Sequence, residues 1–384
     1  MSRPTALAVS TALGLVALSP PPGLADTITV CASGCQHTSI NAAIDAATDG
    51  DVIQLAAEIY LEGAVVDPDG KAITLRGTVD KQGAATSVLD GGDAHRVLQC
   101  VTGEGAGTIF EDLVIRNGLA PNGGGMYNDS TGPTVTRCTF ANNRATAGGA
   151  MYNDNSSDPA LTDCRFTGNS SSQDGAALYD DDSSPTVVDC TFVANGPSRQ
   201  GGAIYHASGI LTLSGCDFDD NETEFAGGGL LLVGDGSTVS GCSFTANTGE
   251  SGGGMVVSGS ATITDCTFAG NTASSTGGGM RIGSGSPTVT GCMFTENSAG
   301  SEGGGMITTF ASGTTITDCT FERNFAQFNA GGVYNTLSSP TFTNCAFIGN
   351  AAQYGAGMTN ALCSPDLIDC VFTLNTAKKL GGGI

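Results

Sequence analysis

The chain has 384 residues, 58 of them glycine and none tryptophan, with 37 acidic against 14 basic side chains and a formal charge of −23. A field of that sign disfavours nucleic acid and anionic membrane surfaces as partners. It keeps an exported protein soluble; calcium is the sharper alternative use, but the repeats lack the Gly- and Asp-rich nonapeptide calcium pattern and no calcium-hand loop occurs.

Residues 1–25 read as a secretion signal: Arg3 gives a positive start, Ala6 to Leu18 is apolar but too short to span a membrane, and Gly23-Leu24-Ala25 offers small residues for cleavage. No later apolar run approaches membrane length, so no membrane-spanning segment is expected in the mature chain. Residues 26–96 form a different unit. Thr27–Val30 reads as a strand, and Ile40, Ala43, Ile44 and Ala47 have helical spacing, with Thr38 or Ser39 as cap and Gly50 as stop. Asp51–Leu55 and Ile73–Leu75 return to strands. A short amphipathic helix ahead of a stack of strands can cover the open end of its core, so this unit is expected to be an N-terminal cap with the first irregular coils.

Residues 97–384 are repetitive. The pattern C-x-F-x-x-N begins at Cys138 and returns nine times, at Cys164, Cys190, Cys216, Cys242, Cys266, Cys292, Cys319, Cys345 and Cys370, at spacings of 24 to 27 residues. Leu113 and Ile115 occupy the Cys and Phe columns of an imperfect copy ahead of them. Between copies lies a Gly/Ala run ending in one apolar residue, as in Gly123-Gly124-Gly125-Met126 and Gly148-Gly149-Ala150-Met151. A fixed period near 25 residues means a solenoid in which each repeat buries its apolar face against its neighbours. The residues between the markers suit strands and turns, and no window has helical spacing. Cys138 and Phe140 share parity while Val135 does not, so a bend is expected between Val135 and Cys138.

With about three short strands per coil, the fold expected is all-β: a right-handed, single-stranded parallel β-helix of about ten to twelve coils. The Phe column fills the core, the Asn column forms a hydrogen-bonded ladder at a turn, and the first Gly of each run takes a positive φ. Ala330 breaks that glycine column, where a positive φ would strain it.

The opening, from Ile40-Asn41-Ala42-Ala43-Ile44 through Gly50-Asp51-Val52-Ile53 to Ile73-Thr74-Leu75-Arg76-Gly77, resembles the start of pectin-lyase-like right-handed β-helix proteins. The paired motif, as in Gly201-Gly202-Ala203-Ile204 and Phe218 to Asn221, resembles the repeats of the chlamydial polymorphic outer membrane protein family. The resemblance spans most of the mature chain. It implies a right-handed coil and an exported, often surface-attached protein with adhesive roles. That family ends in a membrane barrel, which this sequence does not contain.

The cysteines divide into two groups. Ten form the column of the repeat, where in-register stacking holds their Cβ atoms near the ~4.8 Å strand spacing rather than the ~3.8 Å of a disulfide. A ladder of buried free thiols is expected, and a straight line of thiols cannot surround a metal, so no metal site is expected. Cys31 and Cys35 flank Ala-Ser-Gly and can close a small disulfide loop.

Two columns are candidates for function. Two residues after the apolar end of the Gly run stand Asn128, Asn153, Asp180, His206 and Leu232. Asp180 and His206 fall on adjacent coils and could form a catalytic acid–base pair; the alternative is a set of polar groups that satisfy one another. One residue nearer, Tyr127, Tyr152, Tyr179 and Tyr205 face outward by parity. They are the candidate ligand-binding platform for a glycan, or a stack that merely stiffens its sheet. The polygalacturonase segments Asn-Thr-Asp-Gly and Gly-His-Gly do not occur.

The reading is a secreted, extracellular or outer-surface protein that binds a polysaccharide or cell-envelope component without catalysis and without a cofactor. The competing reading is a polysaccharide lyase or glycoside hydrolase working from one face. Because Ile384 falls inside a Gly run, mid-repeat, the chain is expected either to be a fragment or to dock its open end on a partner.

Overall fold

The computed structural model describes residues 25–384, so the expected secretion signal lies outside the described residues apart from Ala25. Every sheet pairing between named strands is parallel and runs from one coil to the next. Three sheets carry the solenoid: sheet I with 14 strands, sheet II with 13 and sheet III with 11. The fourteen rungs of sheet I correct the expected ten to twelve coils. The excess comes from the N-terminal segment, which contributes Thr27–Val30, Val52–Leu55 and Thr74–Arg76 to sheet I before any C-x-F-x-x-N motif appears. There Tyr60, Leu89 and Ile115 hold the column that Phe140 continues.

One coil shows how the repeat folds. Thr134–Thr136 lies in sheet I, with Val135 inward. Arg137 then turns the chain with a φ of 52°, the expected bend, and Thr139–Ala141 enters sheet II. Equivalent positions are mostly Asp, Asn or Gly (Asp163, Asp189, Gly215, Gly241, Asp265), the residues that tolerate the left-handed region best. Next comes Asn143, then a short strand, Arg144–Ala147, in a fourth set of sheets that a three-strand coil did not anticipate. Gly148 follows with a φ of 60°, and Met151–Asp154 enters sheet III. The glycine run itself is a bend rather than a strand. Its third residue faces the core: a Cβ on Gly254 would stand 3.0 Å from the Phe268 ring. Ala330 takes the strained φ expected of it, 53°.

The core is columnar. Phe140 to Phe347 are fully buried and stack ring on ring; Phe218, Phe244 and Phe268 have centroids 4.6 and 4.8 Å apart. The Asn ladder runs beside them. Each Nδ2 donates both to the next Asn and to a backbone carbonyl, as Asn169 does to Asn195 Oδ1 at 3.0 Å and to Phe140 O at 3.0 Å. The ten cysteines of the repeat are free, and Cys31 and Cys35 are joined. Burial pushes the Cys138 thiol up to about 12, and hydrogen bonds to neighbouring thiols, then burial, push Cys216 and Cys266 up as well.

At the N-terminal end the helix Ile40–Ala46 buries Ile40, Ala43 and Ile44 in the same apolar cluster as Val30 and Ile53. Ser39 is the cap: its hydroxyl accepts from Ala42 N at 3.3 Å and donates to Glu62 at 2.7 Å. The helix stops at Ala47, which is already extended, rather than at Gly50.

Candidate functional site

The strands of sheet III place both candidate columns, one on each face. Asp180 and His206 are brought together, with Nδ1 to Oδ2 at 3.4 Å, but on the inward face and with no exposed surface. They end a buried polar ladder. Asn128 Nδ2 donates to Asn153 Oδ1 at 2.8 Å, and Asn153 Nδ2 donates to Asp180 Oδ1 at 2.7 Å. The next rung after His206 is Leu232, and the rung before Asn128 is Cys100. Asn128 Oδ1 and His206 Nε2, at the two ends, have no partner. A polysaccharide cannot reach this pair, so the expectation that Asp180 and His206 could work on a substrate from the surface does not survive their location. Their parity with the buried Met126 and Met151 carried the signal.

Tyr127, Tyr152, Tyr179 and Tyr205 do lie on the outward face, in register. Their geometry alters what they can do. Tyr152 and Tyr179 stack at 4.7 Å and Tyr179 and Tyr205 at 5.1 Å, so the inner rings cover one another's faces and present edges. Tyr152 is 8% exposed. The Arg96 guanidinium closes the first ring from above, 4.6 Å from the Tyr127 centroid, while the Tyr127 hydroxyl donates to Asp154 at 3.1 Å. Burial, then the Asp154 carboxylate, push Tyr127 up to about 12; burial does the same to Tyr179. These phenols stay protonated donors through the physiological range. A platform of four open faces is therefore not present.

The open face belongs to Tyr205. On its far side the outward column changes to Leu231, Val256 and Arg281 on the next three rungs. The step from a large ring to shorter side chains leaves a groove of about 290 Å³, with Tyr205 at one end and Arg281 at the other. Leu231 and Val256 form its floor, each 4% exposed, and Gln200 and Ala226 stand along one side. Arg281 Nη1 donates to Ser251 Oγ at 3.0 Å, which steadies the guanidinium beside the groove. Three rungs at ~4.8 Å make the groove about 14 Å long. Leu231, Val256 and Arg281 carry no signal in the sequence, because they share neither a residue type with the tyrosines nor one with each other. A larger depression of about 390 Å³ on sheet II is lined by Thr191, Val193, Asp217, Asp219, Ser243 and Thr245; its ring, Phe218, is buried beneath the strand, and its lining includes neither lysine nor arginine.

The family model described as the right-handed beta helix region matches residues 93–244 and 228–384, most of the chain. This chain belongs to the right-handed β-helix family. No curated protein matches it in sequence. Among solved structures, this β-helix is similar to a mannuronic-acid-specific family 6 polysaccharide lyase from human gut microbiota, at 14% identity and a TM-score of 0.55, covering 90% of this chain and 82% of that one. It is also similar to the catalytic unit of a GH87 α-1,3-glucanase from Streptomyces thermodiastaticus strain HF3-3, at 12% identity and a TM-score of 0.50, covering 94% and 70%. At such identities the likeness is one of fold. Among the described residues of this β-helix, no group of three or more His, Cys, Asp or Glu side chains is arranged to hold a metal, and no helix is long and apolar enough to cross a membrane.

Proposed function

We propose that this right-handed β-helix is a secreted or outer-surface protein that binds a neutral glycan, without cleaving it, in the groove between Tyr205 and Arg281. The observation that carries this reading is the free face of Tyr205 looking onto an apolar floor that ends in a cation. A sugar ring offers an apolar face to an aromatic and hydroxyls to an arginine fork and a carboxamide, here Arg281 and Gln200. The net charge of −23 opposes a long polyanionic chain, so Arg281 serves as a hydrogen-bond donor to hydroxyls rather than as the anchor of an acidic polymer. Binding is favoured over catalysis because the acid–histidine pair is sealed in the core. The Cys31–Cys35 bond supports export, since disulfides persist in oxidising compartments.

The test is a glycan array of neutral and acidic polysaccharides, read for both retention and product release, with Tyr205→Ala and Arg281→Ala as variants. Each substitution should weaken retention, whereas Tyr127→Ala, three rungs away, should not. Retention unchanged in both groove variants, or release of reducing or unsaturated ends by the parent, would overturn the proposal.

A further inference from the structure

The outer face of sheet I has a composition of its own. From Thr134–Thr136 to Thr341–Thr343, nine successive strands have the pattern of one buried residue between two outward ones. Of those eighteen outward positions all are threonine except Ala160, Val188, Ser214 and Ser240. None is charged and none is aromatic, on a protein with a formal charge of −23. The last four of these strands, from Thr262 to Thr343, are Thr-x-Thr without exception.

Strand propensity alone does not produce this. Threonine suits any exposed strand, and sheet II offers the comparison within the same molecule. Its nine matching strands, Thr139–Ala141 to Ala346–Ile348, have the same length and the same alternation. Yet only seven of their eighteen outward residues are threonine, and Arg165, Asp217, Asp219 and Glu322 interrupt them. The register of sheet I runs without a shift across all nine strands, as that of sheet II does, whereas sheet III slips between Val257 and Ser258.

The result is a two-dimensional lattice of methyl and hydroxyl groups. Its repeat is ~4.8 Å from coil to coil and about 6.6–6.8 Å from one threonine to the next along a strand. β-Branching restricts the rotamers, so the groups are held in rank. Most of the hydroxyls are free to bind outward. Thr134 and Ser240 donate to backbone carbonyls, and Thr315 donates to Thr288; the rest have no protein partner among the described residues. Such a face lacks the rings a saccharide would stack on and the charges an ion or polyelectrolyte would need. What suits it is a neutral solid that offers donors and acceptors in regular rows, and the oxygen rows of ice are such a surface.

We propose that the outer face of sheet I is an ice-binding surface, separate from the groove on sheet III. The threonine hydroxyls join the lattice of the outermost waters, and the methyl groups between them hold those waters in register.

The experiment is ice recrystallisation in a frozen sucrose film, with the protein as secreted, run beside serum albumin at equal mass. The parent should keep the crystals small. Thr290→Tyr, which raises a ring from within the unbroken Thr-x-Thr strands, and Thr264→Lys, which places a charge on them, should each abolish that effect. Thr245→Tyr, on sheet II, should leave it intact. Circular dichroism melts establish that all three variants keep the fold, and the pair on sheet I guards against one of them failing to do so. Crystal growth like that in albumin with the parent, or full inhibition by both sheet I variants, would overturn the proposal. So would adsorption of the parent to crystalline cellulose or chitin through this face with no effect on ice.

Discussion

Replacing Asn247 by alanine isolates the amide ladder from the rest of the repeat. Its Oδ1 accepts from Asn221 N at 3.0 Å and from Asn221 Nδ2 at 2.9 Å. Its Nδ2 donates to Phe218 O at 2.9 Å and to Asn271 Oδ1 at 3.0 Å. Two of these partners have other bonds: Asn221 Nδ2 keeps Phe192 O, and Asn271 Oδ1 keeps the backbone N–H of residue 247. Of the other two, the carbonyl of Phe218 keeps the ladder hydrogen bond that its in-register pairing with the next coil gives it, and only the N–H of Asn221 is left unsatisfied, deep in the stack. At about 1–3 kcal/mol for a buried orphan, Asn247→Ala should cost roughly 1–3 kcal/mol. Thr245→Ala, two residues away and exposed, should stay within about 0.5 kcal/mol. Urea melts followed by circular dichroism give both values. A loss at Asn247 no larger than that at Thr245 would show that the ladder is ornamental and that the Phe column alone sets the coil.

Phe244→Ala should cost about 3–5 kcal/mol, because a fully buried ring with a stacked neighbour on each side is emptied; Phe372, part-exposed with one neighbour at 4.4 Å, should cost less, and equal losses in denaturant melts would contradict the stacked core. Ala330→Gly should stabilise the protein by about 0.5–1 kcal/mol, since a φ of 53° strains alanine and not glycine, and a lower urea midpoint would count against that reading. The thiols of the ladder whose pKa is raised, Cys138 among them, should make the fold sensitive to alkali, while Cys242 and Cys345, held down by hydrogen bonds from neighbouring thiols, should not add to the effect. With the folded pKa raised, as at Cys138, the contribution is complete below the unfolded value of about 8.5 and is lost as pH climbs toward about 12, by up to about 1.4 kcal/mol per thiol per pH unit. Urea midpoints should therefore fall between pH 8 and pH 11, and fall less steeply in Cys138→Ala; a flat profile would mean the thiols are not buried as described.

The columns were legible because each rests on one residue type at one phase of the period. Phenylalanine, asparagine, cysteine and the first glycine each do a single job that a one-residue slip would destroy. The first coils were harder to count because Tyr60, Leu89 and Ile115 fill the phenylalanine column with other apolar side chains. The fourth strand, in the coils that have one, alternates weakly and stays largely exposed, as Arg144–Ala147 does, so its pattern is faint. The candidate site was half legible. Parity put the tyrosines outside, but it does not say that rings on neighbouring rungs lie close enough to cover each other. Parity also placed Asp180 and His206 with Met126 and Met151, which is the inside. The groove depends on the change in side-chain size from Tyr205 to Leu231, and a search for repeated residues passes over such a step.

The most direct measurement is a crystal of the protein soaked with the oligosaccharide that the array retains most strongly. Density is expected for a short glycan over Leu231 and Val256, with one ring on the free face of Tyr205 and a hydroxyl on the Arg281 guanidinium. Density on another face, or an empty groove with the same sugar bound elsewhere, would contradict that placement.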